Sequence, residues 1–459
     1  MREVVFVLLS FEGPDAYSLV GGLGTRVTGL SEALAAMGCE THLIFVGDPN
    51  THWLEKRMDG TLTLYRWCQW ISQYHPGGVY QEEEGKVSDF SSSVPDFVVS
   101  HLARPAIERG KLVVIIGEEW QTAEAMCHIS DHLYQAGLRE RAILLWNANN
   151  TYHFEGLDWP RLSLCTTITT VSRYMKQLMN GMGVEALVIP NGIPQCLTDP
   201  LHQDQAEPLA KSREEEIVFF KMARWDAAKG WLPAIAAVNR LKMMGHKVRF
   251  LARGGSEPYG AAVLRYASSL GLKTREVTCG NTPLAEQIET LGMGEDDDAD
   301  ILNLRFFVRP DLARRIYAAG CGVLANSNHE PFGLVGLESM AAGGITYTGS
   351  TGEEYARPMD NAIVLETSDP EEIVANALYL KRQPEMDKKM RSAARETARA
   401  FTWERVIVQD LFPKLEFLAW RQGLQGVAGL GNSAGLTETA TDTDQSKGAE
   451  TRPLLPTAA

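Results

Sequence analysis

The fold is decided near the start of the chain, by residues 4–46, which read VVFVLLSFEGPDAYSLVGGLGTRVTGLSEALAAMGCETHLIFV. The apolar run Val4–Leu9 predicts a buried strand, and a Gly-rich loop, Gly21–Gly24, follows it. Apolar residues then recur with helical spacing over Thr25–Met37, and a second apolar run, His42–Val46, predicts another strand. This order of elements is a β-α-β unit, from which parallel sheets are built.

The same alternation continues along the rest of the chain. It predicts one doubly wound domain over 1–195, a linker over 196–215 and a second such domain over 216–400. A last helix is predicted over 401–422, and a disordered tail over 423–459, which is poor in aromatic residues. The further strands are predicted at Leu112–Ile116, Ala142–Trp146, Thr166–Val171, Leu187–Ile189, Ile217–Met222, Val248–Ala252, Glu276–Thr278, Ile301–Leu304, Gly322–Ala325, Ile345–Tyr347 and Ala362–Leu365.

An insertion rich in aromatic residues, 51–90, follows the second predicted strand. We predict no strand of the sheet within it. Its aromatic side chains either pack into a core of the insertion or form a surface on which the apolar faces of sugar rings stack, and the sequence leaves both open. They are Trp53, Trp67, Trp70, Tyr74, His75 and Tyr80.

Composition excludes several classes of function. The 459 residues carry 44 Lys plus Arg against 58 Asp plus Glu, a formal net charge of -14, which disfavours nucleic acid as a partner. The seven Cys have no metal-site spacing, so we predict reduced thiols in a cytoplasmic chain and no structural metal. We also expect no cofactor. No apolar stretch reaches the roughly 18 residues of a transmembrane helix, which leaves a peripheral membrane contact open.

Two cations lie where a ligand is expected in the second domain. Arg224 and Lys229 follow its first predicted strand, and ligands of open α/β sheets collect outside the carboxyl ends of the strands. A pair of cations beside a helix start suits a diphosphate. The alternative interpretation is a pair of solvated surface charges.

A segment later in the second domain supplies carboxylates. Glu330 lies just past a predicted strand, and Glu338 lies eight residues on, inside a helix that begins near Phe332 or Gly333. An ionised carboxylate accepts two hydrogen bonds from a diol, so both suit the hydroxyls of a sugar or a ribose.

Taken together, these segments resemble the retaining glycosyltransferases of the GT-B fold, above all family 4 and the bacterial glycogen and starch synthases. The most specific shared segment is Glu330-Pro331-Phe332-Gly333-Leu334 with Glu338 eight positions after Glu330. The other segments that agree in order and spacing are the Gly21–Gly24 loop, Thr170-Val171-Ser172, Val188–Ile193, Arg224 with Lys229, and Gly349–Glu354.

The resemblance implies an α/β protein with two Rossmann-like domains facing each other across a cleft and a C-terminal helix packing back on the first domain. It implies transfer of a hexosyl group from a UDP-, ADP- or GDP-sugar to a carbohydrate or other hydroxyl acceptor, with retention of configuration and no metal. The implied catalytic residues are Glu330, Arg224, Lys229 and His101, and the implied donor-binding residues are Gly22, Leu23, Gly24, Phe332, Gly333, Leu334 and Glu338.

The chain departs from the glycogen synthases at Glu118-Glu119-Trp120-Gln121-Thr122-Ala123, where they carry His-Asp-Trp-x-Thr-Ala. The substitution of a His by Glu118 favours another donor or acceptor. Glu118, Glu119 and Asn149 are acceptor-side candidates, and we expect the two Glu to make the first-domain wall more negative. His101 is either a catalytic His beside the donor sugar or a surface His on a helix.

Three other functions stay open. A catalytically silent GT-B protein would bind a nucleotide sugar or a glycan, and a glycogen or starch synthase would elongate a glucan. An NAD-dependent oxidoreductase rests on the Gly loop and Asp48 alone, because Val27 stands where the dinucleotide fingerprint has its third Gly.

Overall fold

The computed structural model describes residues 4–201, 216–280, 284, 286–287, 291, 298–320, 322–349 and 351–424. Most of the predicted linker, 202–215, and the predicted tail from 425 onward lie outside the described residues. The domain boundaries at 195 and 216 therefore stay predictions.

The first sheet contains eight strands in the order β3-β4-β2-β1-β5-β6-β7-β8. Neighbouring strands are parallel, except that β3 runs antiparallel to β4. The central strand β1 is buried along its whole length, which explains why it reads as a continuous apolar run. The strands β1 to β8 are Val4–Leu9, Glu40–Val46, Leu54–Arg57, Leu62–Trp67, Leu112–Glu118, Ala142–Ala148, Thr167–Thr170 and Leu187–Val188.

Two of these strands correct the prediction for the insertion. Strands β3 and β4 lie within 51–90 and form one edge of the first sheet, so the expectation of no strand there was wrong. The cause is Arg66, the penultimate residue of β4, a cation that masks the strand pattern. Arg66 is buried because Asp15 accepts hydrogen bonds from its Nε at 2.7 Å and its Nη2 at 2.9 Å.

The second sheet contains seven strands within the described ranges, all parallel, in the order β11-β12-β10-β9-β13-β14-β15. All the strands predicted from the sequence are present, with ends shifted by no more than two residues. The strands β9 to β15 are Ile217–Met222, Val248–Arg253, Thr274–Val277, Ile301–Leu304, Gly322–Ala325, Thr346–Thr348 and Ile363–Val364.

Helices cover both sheets. Several begin at a side-chain cap, as at Ser172, whose Oγ accepts a hydrogen bond from Met175 N at 3.1 Å. None of the described helices is long and apolar enough to cross a membrane. The helices α1 to α15 are Gly22–Ala36, Gln69–Ser72, Glu83–Phe97, Arg104–Glu108, Ala123–Gln135, Trp159–Cys165, Arg173–Gly181, Trp231–Met243, Tyr259–Ser269, Pro310–Ala319, Leu334–Ala341, Pro370–Arg382, Pro384–Arg399, Trp403–Val406 and Phe412–Arg421.

The C-terminal helical segment returns to the first sheet, as predicted. Ile193 N donates to Phe401 O at 2.9 Å and Trp403 N donates to Ile193 O at 3.0 Å, so the outgoing and returning chain pair side by side. Beyond this bridge, α14, a π-helical turn at Ile407–Leu411 and α15 bury their apolar face against β1, α1 and β2. A Cβ added at Gly29 or Gly192 would lie 2.2 or 2.6 Å from the Trp403 ring, so this contact requires glycine.

Candidate active site

The site lies where the second sheet reverses its strand order. Strand β9 has β10 on one side and β13 on the other, so the loops that leave β9 and β13 diverge and open a crevice at their carboxyl ends. Asn328 N donates to Ala228 O at 2.9 Å and ties the two loops together. The sequence-predicted residues Arg224, Lys229 and Glu330 all lie on these two loops.

Lys229 and Glu330 form the ion pair at the centre of the crevice. Lys229 Nζ donates to Glu330 Oε2 at 2.8 Å, and both side chains are about one-fifth exposed, at 20% and 21%. The turn that presents Lys229 ends at Gly230, whose φ is +68° and whose added Cβ would lie 2.2 Å from Asn326 O. Glycine is therefore required there for two reasons.

Arg224 extends from the same turn toward the first domain. Its exposed Nη2 donates to the hydroxyl of Tyr152 at 3.4 Å, and this hydrogen bond raises the pKa of the guanidinium. Two further contacts join the halves nearby. The Tyr174 hydroxyl lies 3.1 Å from His329 Nδ1, and the backbone N–H of Arg173 donates to the Glu354 carboxylate. Residues of both domains thus surround the Lys229–Glu330 pair.

The segment after Glu330 is held in a tight turn. Gly333 has φ +82°, and an added Cβ would lie 2.8 Å from Glu353 Cγ and 3.3 Å from Glu330 Cγ. The Tyr355 hydroxyl donates to Gly333 O, and Phe332 is buried against the Tyr355 ring at 5.6 Å. The turn therefore fixes Glu330 at the mouth of the crevice.

The two Gly-rich segments predicted to bind the donor face each other. A Cβ added at Gly22, in the first domain, would lie 3.9 Å from Cδ1 of Leu334, in the second. Leu23, next to Gly22, packs against the apolar core beneath it. The structure thus brings together the loop of the first domain and the Glu330–Leu334 segment, as the predicted cleft requires.

Burial changes the acidity of two carboxyl groups beside this turn. The pKa of Glu338, on α11, is raised to about 7 by burial. The pKa of Glu353 is raised to about 8, first by burial and then by the neighbouring charge of Glu330. Sequence reasoning did not single out Glu353, although it lies inside the recognised segment Gly349–Glu354.

The Gly loop of the first domain already binds a carboxylate of the protein. Gly21 N and Gly24 N donate to Glu12 Oε2 at 3.0 and 2.9 Å, and the Tyr80 hydroxyl donates to Glu12 Oε1. Glu12 is buried at the start of α1, where the helix dipole favours a negative charge. The backbone N–H groups of Gly21 and of Gly24, a predicted donor-binding residue, are therefore occupied by Glu12.

The acceptor-side candidates Glu118, Glu119 and Asn149 form a buried network. Glu118 accepts from Arg26 Nε at 3.0 Å and from Asn149 Nδ2 at 2.9 Å. Glu119 accepts from the backbone N–H groups of Asn149 and Asn150 at 2.6 and 3.1 Å, and burial raises its pKa to about 8. Both Glu side chains are buried, so the expectation that they make the first-domain wall more negative was wrong.

His101 lies apart from these residues. It is exposed on the π-helical turn Val98–Ala103, and its ring stacks on Phe97 with centroids 5.1 Å apart. Phe97 in turn packs against Tyr65 and Trp67 of the edge strand β4. No hydrogen bond or ring contact within the described part of the chain connects His101 to the Lys229–Glu330 pair. Its catalytic assignment stays a prediction.

Two further expectations from the sequence concern bound metal and the cysteine thiols. Within the described ranges, no cluster of three or more His, Cys, Asp or Glu side chains is arranged to hold a metal ion. Six cysteines in those ranges are free thiols, and they are Cys39, Cys68, Cys127, Cys165, Cys196 and Cys279.

Residues 303–397 match the family model described as "Glycosyl transferases group 1". This range contains Glu330, Phe332, Gly333, Leu334 and Glu338, all of which were predicted from the sequence. No curated protein matches the chain.

Solved structures resemble the chain over nearly its whole length. Sucrose-phosphate synthase from Thermosynechococcus elongatus superimposes with a TM-score of 0.65 at 17% identity, covering 91% of this chain and 99% of that one. The catalytic domain of starch synthase IV from Arabidopsis thaliana, bound to ADP and acarbose, gives 0.61 at 17% identity, covering 92% and 99%. Anabaena HepE in complex with UDP-glucose gives 0.57 at 14% identity, covering 90% and 99%.

At these identities the structural likeness establishes the fold. The chain is an α/β protein with two Rossmann-like parallel sheets and the GT-B architecture. The match of residues 303–397 to the glycosyl transferases group 1 model supports a glycosyltransferase enzyme.

Proposed function

We propose that the chain is a retaining hexosyltransferase of the family 4 type. It transfers a hexosyl group from a UDP-, ADP- or GDP-sugar to a carbohydrate or other hydroxyl acceptor, without a metal or a cofactor, in the cytoplasm. The nucleotides of similar structures support this class of donor, since starch synthase IV was solved with ADP and HepE with UDP-glucose. A contact with a membrane surface is compatible with this proposal.

The observation that carries the proposal is the Lys229–Glu330 ion pair at the carboxyl end of β9. A partly exposed ion pair contributes little to stability, so exchanging its partners costs little free energy. A donor diphosphate would receive hydrogen bonds from Lys229 and Arg224, both charged groups suited to phosphate. The released Glu330 carboxylate would then accept hydrogen bonds from hydroxyl groups of the transferred sugar.

The same arrangement suits transfer with retention. We propose that the bond from the anomeric carbon to the donor phosphate oxygen breaks while the acceptor oxygen bonds to that carbon on the same face. The departing phosphate takes the acceptor proton. Lys229 and Arg224 stabilise the negative charge that develops on the phosphate. Glu338 would accept hydrogen bonds from the ribose diol.

The test combines binding with turnover. We expect one or more of UDP-glucose, ADP-glucose and GDP-mannose to raise the melting temperature, because a ligand that binds only the folded state stabilises it. In Lys229→Met and Glu330→Gln we expect unchanged melting without ligand and a fall in sugar transfer or donor hydrolysis of about 100-fold or more. Lys388→Met, an exposed lysine on α13, is the matched control.

Other outcomes would favour the other functions. Turnover near the wild-type rate in both site variants would refute the proposal. Binding of a nucleotide sugar without turnover on any acceptor would indicate a catalytically silent protein. Elongation of a glucan primer from ADP-glucose would indicate a glucan synthase, and binding of NAD without any nucleotide sugar would indicate an oxidoreductase.

A further inference from the structure

A fully buried lysine lies directly beneath the candidate donor site. Lys221, in β9, is 1% exposed and precedes Arg224 by three residues. Its Nζ donates to Leu324 O at 2.8 Å and to Asn326 Oδ1 at 2.6 Å, and it lies 5.3 Å from the centroid of the Trp231 ring. Among the described residues no carboxylate lies within ion-pair distance of this ammonium. Its acceptors are therefore neutral oxygens.

The side chain of Asn326 connects Lys221 to the turn that presents Lys229. Asn326 Oδ1 accepts from Lys221, while Asn326 Nδ2 donates to Gly230 O at 3.0 Å. Gly230 follows Lys229 and ends the turn that presents it. Lys221 thus fixes the geometry of Lys229 from inside the sheet, without itself being exposed to a ligand.

The protonation state of Lys221 depends on the charges at the candidate donor site. Burial, followed by the charge of Lys229, lowers the pKa of Lys221 to about 7, while the charge of Glu330 opposes this. A neutral amine still has two N–H groups, enough for Leu324 O and Asn326 Oδ1, so either protonation state keeps these hydrogen bonds. A dianionic diphosphate beside Lys229 would favour the charged state, because opposite charges stabilise each other.

We infer that Lys221 is a positioning residue that takes up a proton when the donor diphosphate binds, so that donor affinity decreases as the pH rises through neutrality. This inference rests on the proposed function, since it requires a diphosphate at Lys229 and Arg224. It adds to that function a coupling between donor binding and pH.

Other groups near the site also titrate in this range and must be separated from Lys221. Glu338 and Glu353, with pKa values raised to about 7 and about 8, lie beside the Gly333 turn, and Glu330 contributes to the shift of Glu353. The charges that act on Lys221 itself are those of Lys229 and Glu330. An anionic ligand would also favour protonation of the two carboxyl groups. The experiment must therefore assign the proton to a residue.

The experiment is isothermal titration calorimetry of the intact protein with the nucleotide sugar selected by the melting panel. A nucleotide sugar is used because its diphosphate lacks the terminal phosphate that titrates near pH 6. Titrations at pH 6.5, 7.5 and 8.5, each in two buffers with different heats of ionisation, measure proton uptake directly. For the wild type we expect uptake at pH 7.5 and a fall in affinity of about tenfold between pH 6.5 and 8.5.

Variants assign the proton. Lys221→Met lacks the charge, so we expect loss of proton uptake, weaker binding at pH 6.5 and a nearly flat pH profile. Lys221→Arg stays charged throughout, so we expect no uptake and a flat profile with tight binding. Lys381→Met, an exposed lysine on α12, should keep the wild-type profile. Melting temperatures verify that each variant is folded.

Each contrary result has a distinct meaning. Proton uptake that persists unchanged in Lys221→Met would overturn the inference and assign the proton to Glu338 or Glu353. Wild-type binding without proton uptake would also overturn it, while leaving the proposed function intact. Failure of the wild type to bind any nucleotide sugar would overturn the proposed function and this inference with it.

Discussion

The two halves of the molecule each bury a cation near the cleft, but they compensate it differently. Arg26, in α1, is 2% exposed and pairs with Glu118 at 3.0 Å, while its Nη1 donates to Asn191 Oδ1 at 2.6 Å. Lys221, in β9, is equally buried, and within the described ranges its hydrogen bonds go to the neutral oxygens of Leu324 and Asn326. The first charge is neutralised by a carboxylate of the protein, whereas the second has no carboxylate partner among the described residues.

The loops above these cations differ in the same way. In the first domain, Glu12 accepts from Gly21 N and Gly24 N and so fills the anion-binding start of α1. In the second domain, Arg224 is exposed and Lys229 pairs with the partly exposed carboxylate of Glu330. The anion-binding N–H groups of the first domain are thus already paired with a carboxylate, whereas the cations of the second domain stay partly exposed.

The largest expected effect is at Arg26. Replacing Arg26 with Met leaves the Glu118 carboxylate buried without its charge partner, and we expect a loss of about 3–5 kcal/mol in the free energy of unfolding. Guanidinium denaturation of the wild type and the variant measures the loss. The double variant Arg26→Met with Glu118→Gln should recover part of it, because no charge is then buried alone.

The matched control for this experiment is an exposed ion pair. Lys388, whose Nζ lies 2.9 Å from Glu385 Oε1, is largely exposed, so Lys388→Met should change stability by less than about 1 kcal/mol. If Arg26→Met cost no more than this control, the first-domain charge network would not be structural, and the contrast with Lys221 would be broken.

A smaller effect is expected at Glu12. Glu12→Ala removes the acceptor of Gly21 N, Gly24 N and the Tyr80 hydroxyl, and we expect a loss of about 1–3 kcal/mol for groups left without partners. Glu12→Gln keeps an acceptor and should lose less. Thermal and denaturant melting measure both variants.

The affinity of Glu12→Gln for a nucleotide sugar tests whether the Gly loop also binds the donor. If the N–H groups of the Gly loop bind Glu12 and no ligand, Glu12→Gln should bind nucleotide sugars with the affinity of the wild type. A gain in donor affinity in Glu12→Gln would show that the Glu12 carboxylate competes with a ligand anion for the loop. The first domain would then contribute directly to the diphosphate site.

The smallest expected effect is a change in pH dependence at Glu119. Its pKa is raised to about 8 in the folded protein by burial, above the ordinary value of 4.5, so the folded state holds a proton that the unfolded chain has lost. Stability from this group is therefore lost as pH rises from about 4.5 through 8. Glu119→Gln removes the loss, and its melting temperature should exceed the wild-type value by a few degrees at pH 8.5.

The sign of this effect distinguishes it from a simple loss of hydrogen bonds. At pH 4.5 the carboxyl is neutral in the folded protein, so Glu119→Gln should melt close to the wild type there. Equal destabilisation at pH 4.5 and pH 8.5 would mean that Glu119 acts through its contacts with Asn149 and Asn150 and not through its charge.

Local patterns in the sequence predicted most of the fold. The buried strands of both sheets are continuous apolar runs, and these are visible without knowledge of their partners. Strand β4 was not predicted because Arg66 interrupts its apolar pattern. The ion pair with Asp15 that allows Arg66 to be buried joins residues 51 positions apart. Contacts of that range leave no trace in a local pattern.

The candidate site likewise contains residues that the sequence could place together and contacts that it could not predict. Arg224, Lys229 and Glu330 could be placed together because they follow parallel strands whose carboxyl ends share one edge. The burial of Glu118 could not be predicted, because its partner Arg26 lies 92 positions earlier inside a helix. The hydrogen bond from Gly24 N to Glu12 likewise depends on how the loop folds back. The glycines of the loop permit this conformation but do not specify it.

The pairing of Ile193 with Phe401 and Trp403 has a mechanical consequence. The chain passes between the domains on its way out and on its return, and these two passages are hydrogen-bonded to each other. An opening of the cleft that keeps these hydrogen bonds is a rotation with its pivot beside Trp403. Such a rotation has to break the contacts of Tyr174 with His329 and of Arg173 with Glu354.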